Sequence, residues 1–118
     1  MSAITLDGDA NEATTVDPAW TPVAPTPNHP EYPAAHACIS GAMAELLRAY
    51  YGTPDITFDF TSKVTASTHH FTTAAGLFDE VTVARIAGGM HFRSAIVDGE
   101  VLGRKVADWT FGHAFQKR

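Results

Sequence analysis

At 118 residues the chain is long enough for one domain with a modest core and too short for two. Its net charge of -5 sits in the first 33 residues, which carry Asp7, Asp9, Glu12, Asp17 and Glu31 but no Lys or Arg. The balanced remainder argues against a nucleic-acid footprint, which needs a clustered basic face. The single cysteine, Cys38, forms no internal disulfide and is expected as a small buried residue. Nowhere do about 18 apolar residues run uninterrupted as a membrane span requires. The first residues lack the basic and apolar regions of a secretory signal, so the chain reads as soluble, with no address to a compartment.

In chain order, residues 1–17 are acidic and poor in large apolar groups, and read as a disordered or loosely attached tail. Residues 18–118 form the domain proper. Six of the seven prolines lie between Pro18 and Pro33, which makes a stiff, irregular connector that Trp20 and Tyr32 are expected to pin by packing. Ile39, Met43, Leu46, Leu47 and Tyr50 recur at helical spacing, which predicts a helix over 37–51, ended by Gly52 and Pro54. Residues 55–65 alternate Ile56, Phe58 and Phe60 with polar neighbours, as a short strand or an extended loop. A second helical pattern covers 72–90 and weakens at Gly88 and Gly89. A third starts near Asp98, a good N-cap, and runs through Val101, Leu102, Val106 and Trp109 to about His113. Three helices without repeats give an all-α fold. More than one apolar side on each predicts a partial bundle, its remaining faces covered by a second copy or by an N-terminal portion outside this chain.

Six histidines stand out because imidazole serves as acid, base, nucleophile or ligand near neutrality. His29 in the connector and His113 near the C-terminus read as packing or solvated residues. His69 and His70 are adjacent, so their side chains diverge, and Asp79 and Glu80 make only a loose metal-ligand match. His36 is placed differently, where the rigid connector meets a helix whose first backbone N–H groups, around Ala35, point at an anion. In "ARIAGGMH", Arg85 stands six residues before His91 with glycines between them. That pairs a planar fork of donors for an oxyanion with an imidazole able to attack or ligate its central atom.

Together the two stretches resemble the type 2 phosphatidic acid phosphatase and vanadium haloperoxidase superfamily, and the text around them resembles its soluble bacterial haloperoxidase-like branch. Pro33-Ala34-Ala35-His36 is similar to its P-S-G-H signature, and Ala84-Arg85 through His91 to Ala95 to its later Arg, His and Asp signature. The likeness runs from about Asp17 to Ala114. It implies a helical bundle around an oxyanion site that takes vanadate and, with peroxide, oxidises halide. The alternative is a phosphomonoesterase working through a phosphohistidine on a small anionic substrate. In either case His91 would be the vanadium ligand or nucleophile, Arg85 and the Ala35 backbone N–H would bind the oxyanion, and His36 would hold or move a proton.

The chain departs from that pattern in places. Ala34 replaces the signature serine and removes a hydroxyl donor. Ala95 stands where an aspartate orients the nucleophilic histidine, so Asp98 or a backbone carbonyl is the expected substitute. No Lys or Arg precedes Arg48, so the upstream Lys and Arg-Pro signature has no counterpart. The expectation is therefore a C-terminal portion of the enzyme, with a non-catalytic helical interaction fragment as the rival.

Overall fold

The structure is a computed structural model that describes residues 11–114. Of the tail expected over 1–17, residues 1–10 lie outside the described residues. The elements run α1 (Ala35–Tyr51), β1 (Phe58–Thr61), β2 (Thr68–Phe71), α2 (Gly76–Ala87) and α3 (Arg93–Ala114). None of the helices is long and apolar enough to cross a membrane among the described residues.

The termini of α1 follow local chemistry. Ala34 holds an extended backbone before the first turn but brings no side-chain cap. At the other end Gly52 takes the left-handed conformation, φ 74°, and its N–H donates to the Arg48 carbonyl. The helix starts two residues earlier than the apolar periodicity indicates, because Ala35 and His36 add a turn that carries no core residue. The α2 helix is shorter than expected, since 72–75 form a turn before it and Gly88 closes it.

The start of α3 is corrected more strongly. It begins at Arg93, and Asp98 lies one turn inside, where its Oδ2 accepts a hydrogen bond of 2.9 Å from the Tyr32 hydroxyl. The backbone N–H of Phe92, just before the helix, donates to the Glu31 carboxylate at 2.8 Å. A carboxylate placed there also favours the helix dipole. The start signal thus comes from 61 residues away in sequence, which local patterning cannot reveal.

Residues 55–65 resolve as the first half of a small antiparallel hairpin in which Phe58 faces Phe71 and Phe60 faces His69. The Phe58 and Phe71 rings meet at 5.2 Å. The all-α expectation holds for the bundle, and the hairpin is an excursion between α1 and α2.

The helices pack on small residues rather than on Val101, Leu102, Val106 and Trp109, the large apolar residues through which α3 runs. Those four are exposed, Trp109 at 64 %. Buried instead are Ala95, Gly99, Gly103 and Ala107, every fourth residue, facing Ala37, Ser40, Gly41 and Ala44 of α1. A Cβ on Gly103 would stand 2.0 Å from the Cys38 carbonyl oxygen, and one on Gly99 would stand 2.6 Å from that of Ala34. The helix backbones therefore approach more closely than any larger side chain permits. Phe78 of α2 and Ile96 fill the adjoining core with Ala34, Ala37 and Ala95. Ile39 and Tyr50 of α1 also face outward, so both long helices keep an uncovered apolar side.

Replacing Gly103 with alanine should destabilise the chain by about 3 kcal/mol or more, because overpacking a rigid backbone contact leaves nothing to yield. Gly112→Ala, on the same helix with nothing within 4 Å of the new Cβ, should stabilise it by roughly 0.5–1 kcal/mol through helix propensity alone. Urea unfolding of the two variants against the parent checks both signs.

Candidate functional site

The connector, the α1 N-terminus and the α2–α3 turn meet at one end of the seam. Gly88 and Gly89 redirect the chain after α2. Gly89 has φ 72°, and a Cβ there would stand 2.5 Å from the Trp20 ring, so the position requires glycine on both counts. Trp20 pins the connector as expected, helped by the Val23 N–H, which donates to the Gly88 carbonyl at 3.3 Å. Tyr32 does so differently, through its hydrogen bond to Asp98 from a ring that stays largely exposed. The peptide bond between Tyr32 and Pro33 is cis.

The turn then folds back on α2. The backbone N–H groups of Met90 and His91 both donate to the Arg85 carbonyl, at 3.0 and 3.3 Å, which ties the two residues singled out in the sequence to one loop. The His91 side chain is 1 % exposed. Its Nδ1 donates to the Glu31 carbonyl at 2.7 Å. A carbonyl only accepts, so Nδ1 carries the proton and Nε2 faces the interior, buried and without a partner. The orienting contact is thus a backbone carbonyl, and Asp98 is engaged elsewhere. Ala95, where an aspartate was expected to matter, is fully buried in the seam, and its carbonyl accepts from the Ala34 N–H at 3.0 Å.

Arg85 lies on the inner side of α2, with Nε and Nη2 buried and unpartnered. Burial pushes its guanidinium down from the ordinary value, though it stays charged near neutrality. Thr82, one turn earlier on the same helix, also buries an unpartnered hydroxyl. His36 occupies the first turn of α1. Burial, then the charge of Arg85 and the imidazoles of His29 and His91, hold it below its ordinary value, so these groups share one electrostatic environment. The first intrahelical bond of α1 is from Cys38 N–H to the Ala34 carbonyl, so the N–H groups of Ala35, His36 and Ala37 precede the helix's own ladder.

His29 is the residue that sequence reasoning passed over. Its ring stacks on His91 with centroids 5.7 Å apart and planes at 14°, and lies 5.7 Å from that of His36. Its Nδ1 donates to the Pro30 carbonyl at 3.0 Å, which leaves Nε2 buried and unpartnered. The connector hides this proximity, because proline-rich backbone has no periodicity from which to read a facing. A cavity of about 740 Å³ opens beside His29 and His91, walled by Trp20, Pro27, Glu31 and Met90.

The remaining histidines lie elsewhere. His69 pairs with Glu80 at 2.7 Å and His70 with Asp59 at 2.6 Å, so the adjacent pair faces two ways and does not converge. His113 stacks on Trp109 at 4.4 Å, the packing role expected of it.

Residues 2–118 match the family model described as the VCPO second helical-bundle domain. Among solved structures, the crystal structure of the first bacterial vanadium-dependent iodoperoxidase is 31% identical with a TM-score of 0.74, covering 82% of this chain and 24% of that one. The holo-type bacterial vanadium-dependent chloroperoxidase, 21% identical, has a TM-score of 0.61 over 77% of this chain and 22% of its own; at that identity it supports the fold alone. The chain therefore spans about a quarter of the length of these solved proteins. No curated protein matches it.

A depressed His36 takes up its proton less readily folded than unfolded, so stability is full above the ordinary value of about 6.5 and falls as pH drops through the folded value. Proton NMR should place the His36 midpoint below about 6.5. Arg85→Gln should raise that midpoint part of the way, since burial, the larger cause, remains.

Proposed function

Because the chain belongs to the family of the VCPO second helical-bundle domain, we propose that it carries the C-terminal part of a vanadate site of the haloperoxidase kind. The observation that supports this reading is a pair of residues with buried, unpartnered polar atoms, His91 at Nε2 and Arg85 at Nε and Nη2, whose charges both act on His36. Buried polar groups are nearly always hydrogen-bonded, and clustered exceptions point to a ligand.

The residues fit an oxyanion. His91 would hold its central atom through Nε2, kept in that tautomer by the Glu31 carbonyl. Arg85 would donate to its oxygens through Nε and Nη2, both buried and without a partner. The Ala35 N–H, at the positive end of α1, adds a donor that needs no side chain. It leaves Ala34, which has no hydroxyl, as the weak point of the cradle. His36 stands where it can hold or release a proton on the solvent side. When bound, vanadate would supply peroxide activation toward halide.

One guanidinium leaves a multiply charged anion under-compensated. The reading therefore includes a second segment or chain that lies against the exposed faces of α1 and α3 and brings further cations. Ile39, Tyr50, Val106 and Trp109 form the surface it would cover.

Vanadium NMR of the chain with added vanadate should show one bound equivalent. His91→Ala should abolish it, and Arg85→Gln should weaken it by roughly tenfold to a hundredfold, the worth of a charge-assisted hydrogen bond. Peroxide-dependent oxidation of iodide and bromide, with p-nitrophenyl phosphate hydrolysis as the counter-test, then assigns the chemistry. Vanadate binding unaffected by His91→Ala would end this reading.

A further inference from the structure

We propose that His29, His36 and His91 form a site for a divalent transition cation of the zinc class. Ring nitrogens of these residues lie within 4.8 Å of one another, the group of that kind found among the described residues. Three nitrogens on one tetrahedral ion, each ~2.0–2.1 Å from it, stand roughly 3.4 Å apart. Modest ring rotations close the difference.

The tautomers carry the argument further than the distance does. The successive carbonyls of Pro30 and Glu31 accept from Nδ1 of His29 and Nδ1 of His91. In that tautomer each ring presents Nε2 as a lone pair, and both Nε2 atoms are buried without a hydrogen-bond partner. The central atom of an oxyanion takes one such lone pair and its oxygens give nothing to the other, whereas a divalent Lewis acid takes both. An imidazole that donates its other N–H to a carbonyl is also the usual arrangement behind a metal-bound histidine. His36, its ring 5.7 Å from that of His29, supplies the third nitrogen.

The surrounding charges define the ion's form. Arg85 opposes a bare dication, while the Glu31 carboxylate, 3.7 Å from His91 Nδ1, offsets it. With three protein ligands the fourth position stays open for water or a small anion. The cavity beside His29 and His91 gives a hydrated ion a route in. This site shares His36 and His91 with the oxyanion reading but does not rest on it, and the two ligands compete for His91 Nε2.

Cobalt(II), added to the full chain and followed by visible absorption, is the probe. One equivalent should give the intense bands of four-coordinate cobalt, and zinc should bleach them. His29→Ala and His36→Ala, checked as folded by circular dichroism, should each weaken binding by roughly 100-fold. His70→Ala, on the hairpin, should leave it unchanged. Arg85→Gln separates the two readings, since it weakens vanadate and leaves cobalt equal or tighter. Cobalt binding that survives both His29→Ala and His36→Ala, or that disappears with His70→Ala, overturns the proposal.

Discussion

The contact on which the rest depends is the close approach of α1 to α3, where the carbonyls of Ala34 and Cys38 lie over Gly99 and Gly103. Two helices touching at backbone distance behave as one rigid body, because no side chain between them can change rotamer. That rigidity sets the N-terminus of α1, with His36, beside the turn that leads into α3, with His91. A hydrogen bond from the Ala34 N–H to the Ala95 carbonyl fastens the same corner.

A seam of small residues has a second effect. It uses little apolar surface, so the large side chains of both helices are left on the outside, where Ile39 and Trp109 are more than half exposed. A core built on Ile96 and Phe78 with alanines around them is thin for a chain of this size. The solved structures that the chain resembles are about four times longer.

The polar end of the seam is organised by backbone rather than by side-chain pairs. Carbonyls of Pro30 and Glu31 orient two imidazoles, the Arg85 carbonyl gathers the turn, and the Glu31 carboxylate meets the Phe92 N–H. Such contacts are blind to the identity of the residue supplying the carbonyl. This is why His91 is oriented although position 95 is an alanine. Only the group's place in space matters, and the proline connector supplies that place.

How much of this was legible in the sequence follows the range of each interaction. The helices were readable from 3.6-residue periodicity and from Gly52, Gly88 and Gly89, and the spacing of Arg85 to His91 was readable because only six positions separate them. Those signals act over a few residues. The start of α3, the facing of its small residues and the inclusion of His29 in the cluster were decided by contacts between segments distant in sequence. Leu102 and Val106 look like core on a helical wheel, yet Gly99 and Gly103 won the interface, because a neighbouring backbone can come closest where there is no side chain. By itself the amino-acid order determined which groups were available and their local geometry. Tertiary structure alone decided which buried nitrogens were left without a partner, since that depends on every segment that could have offered one.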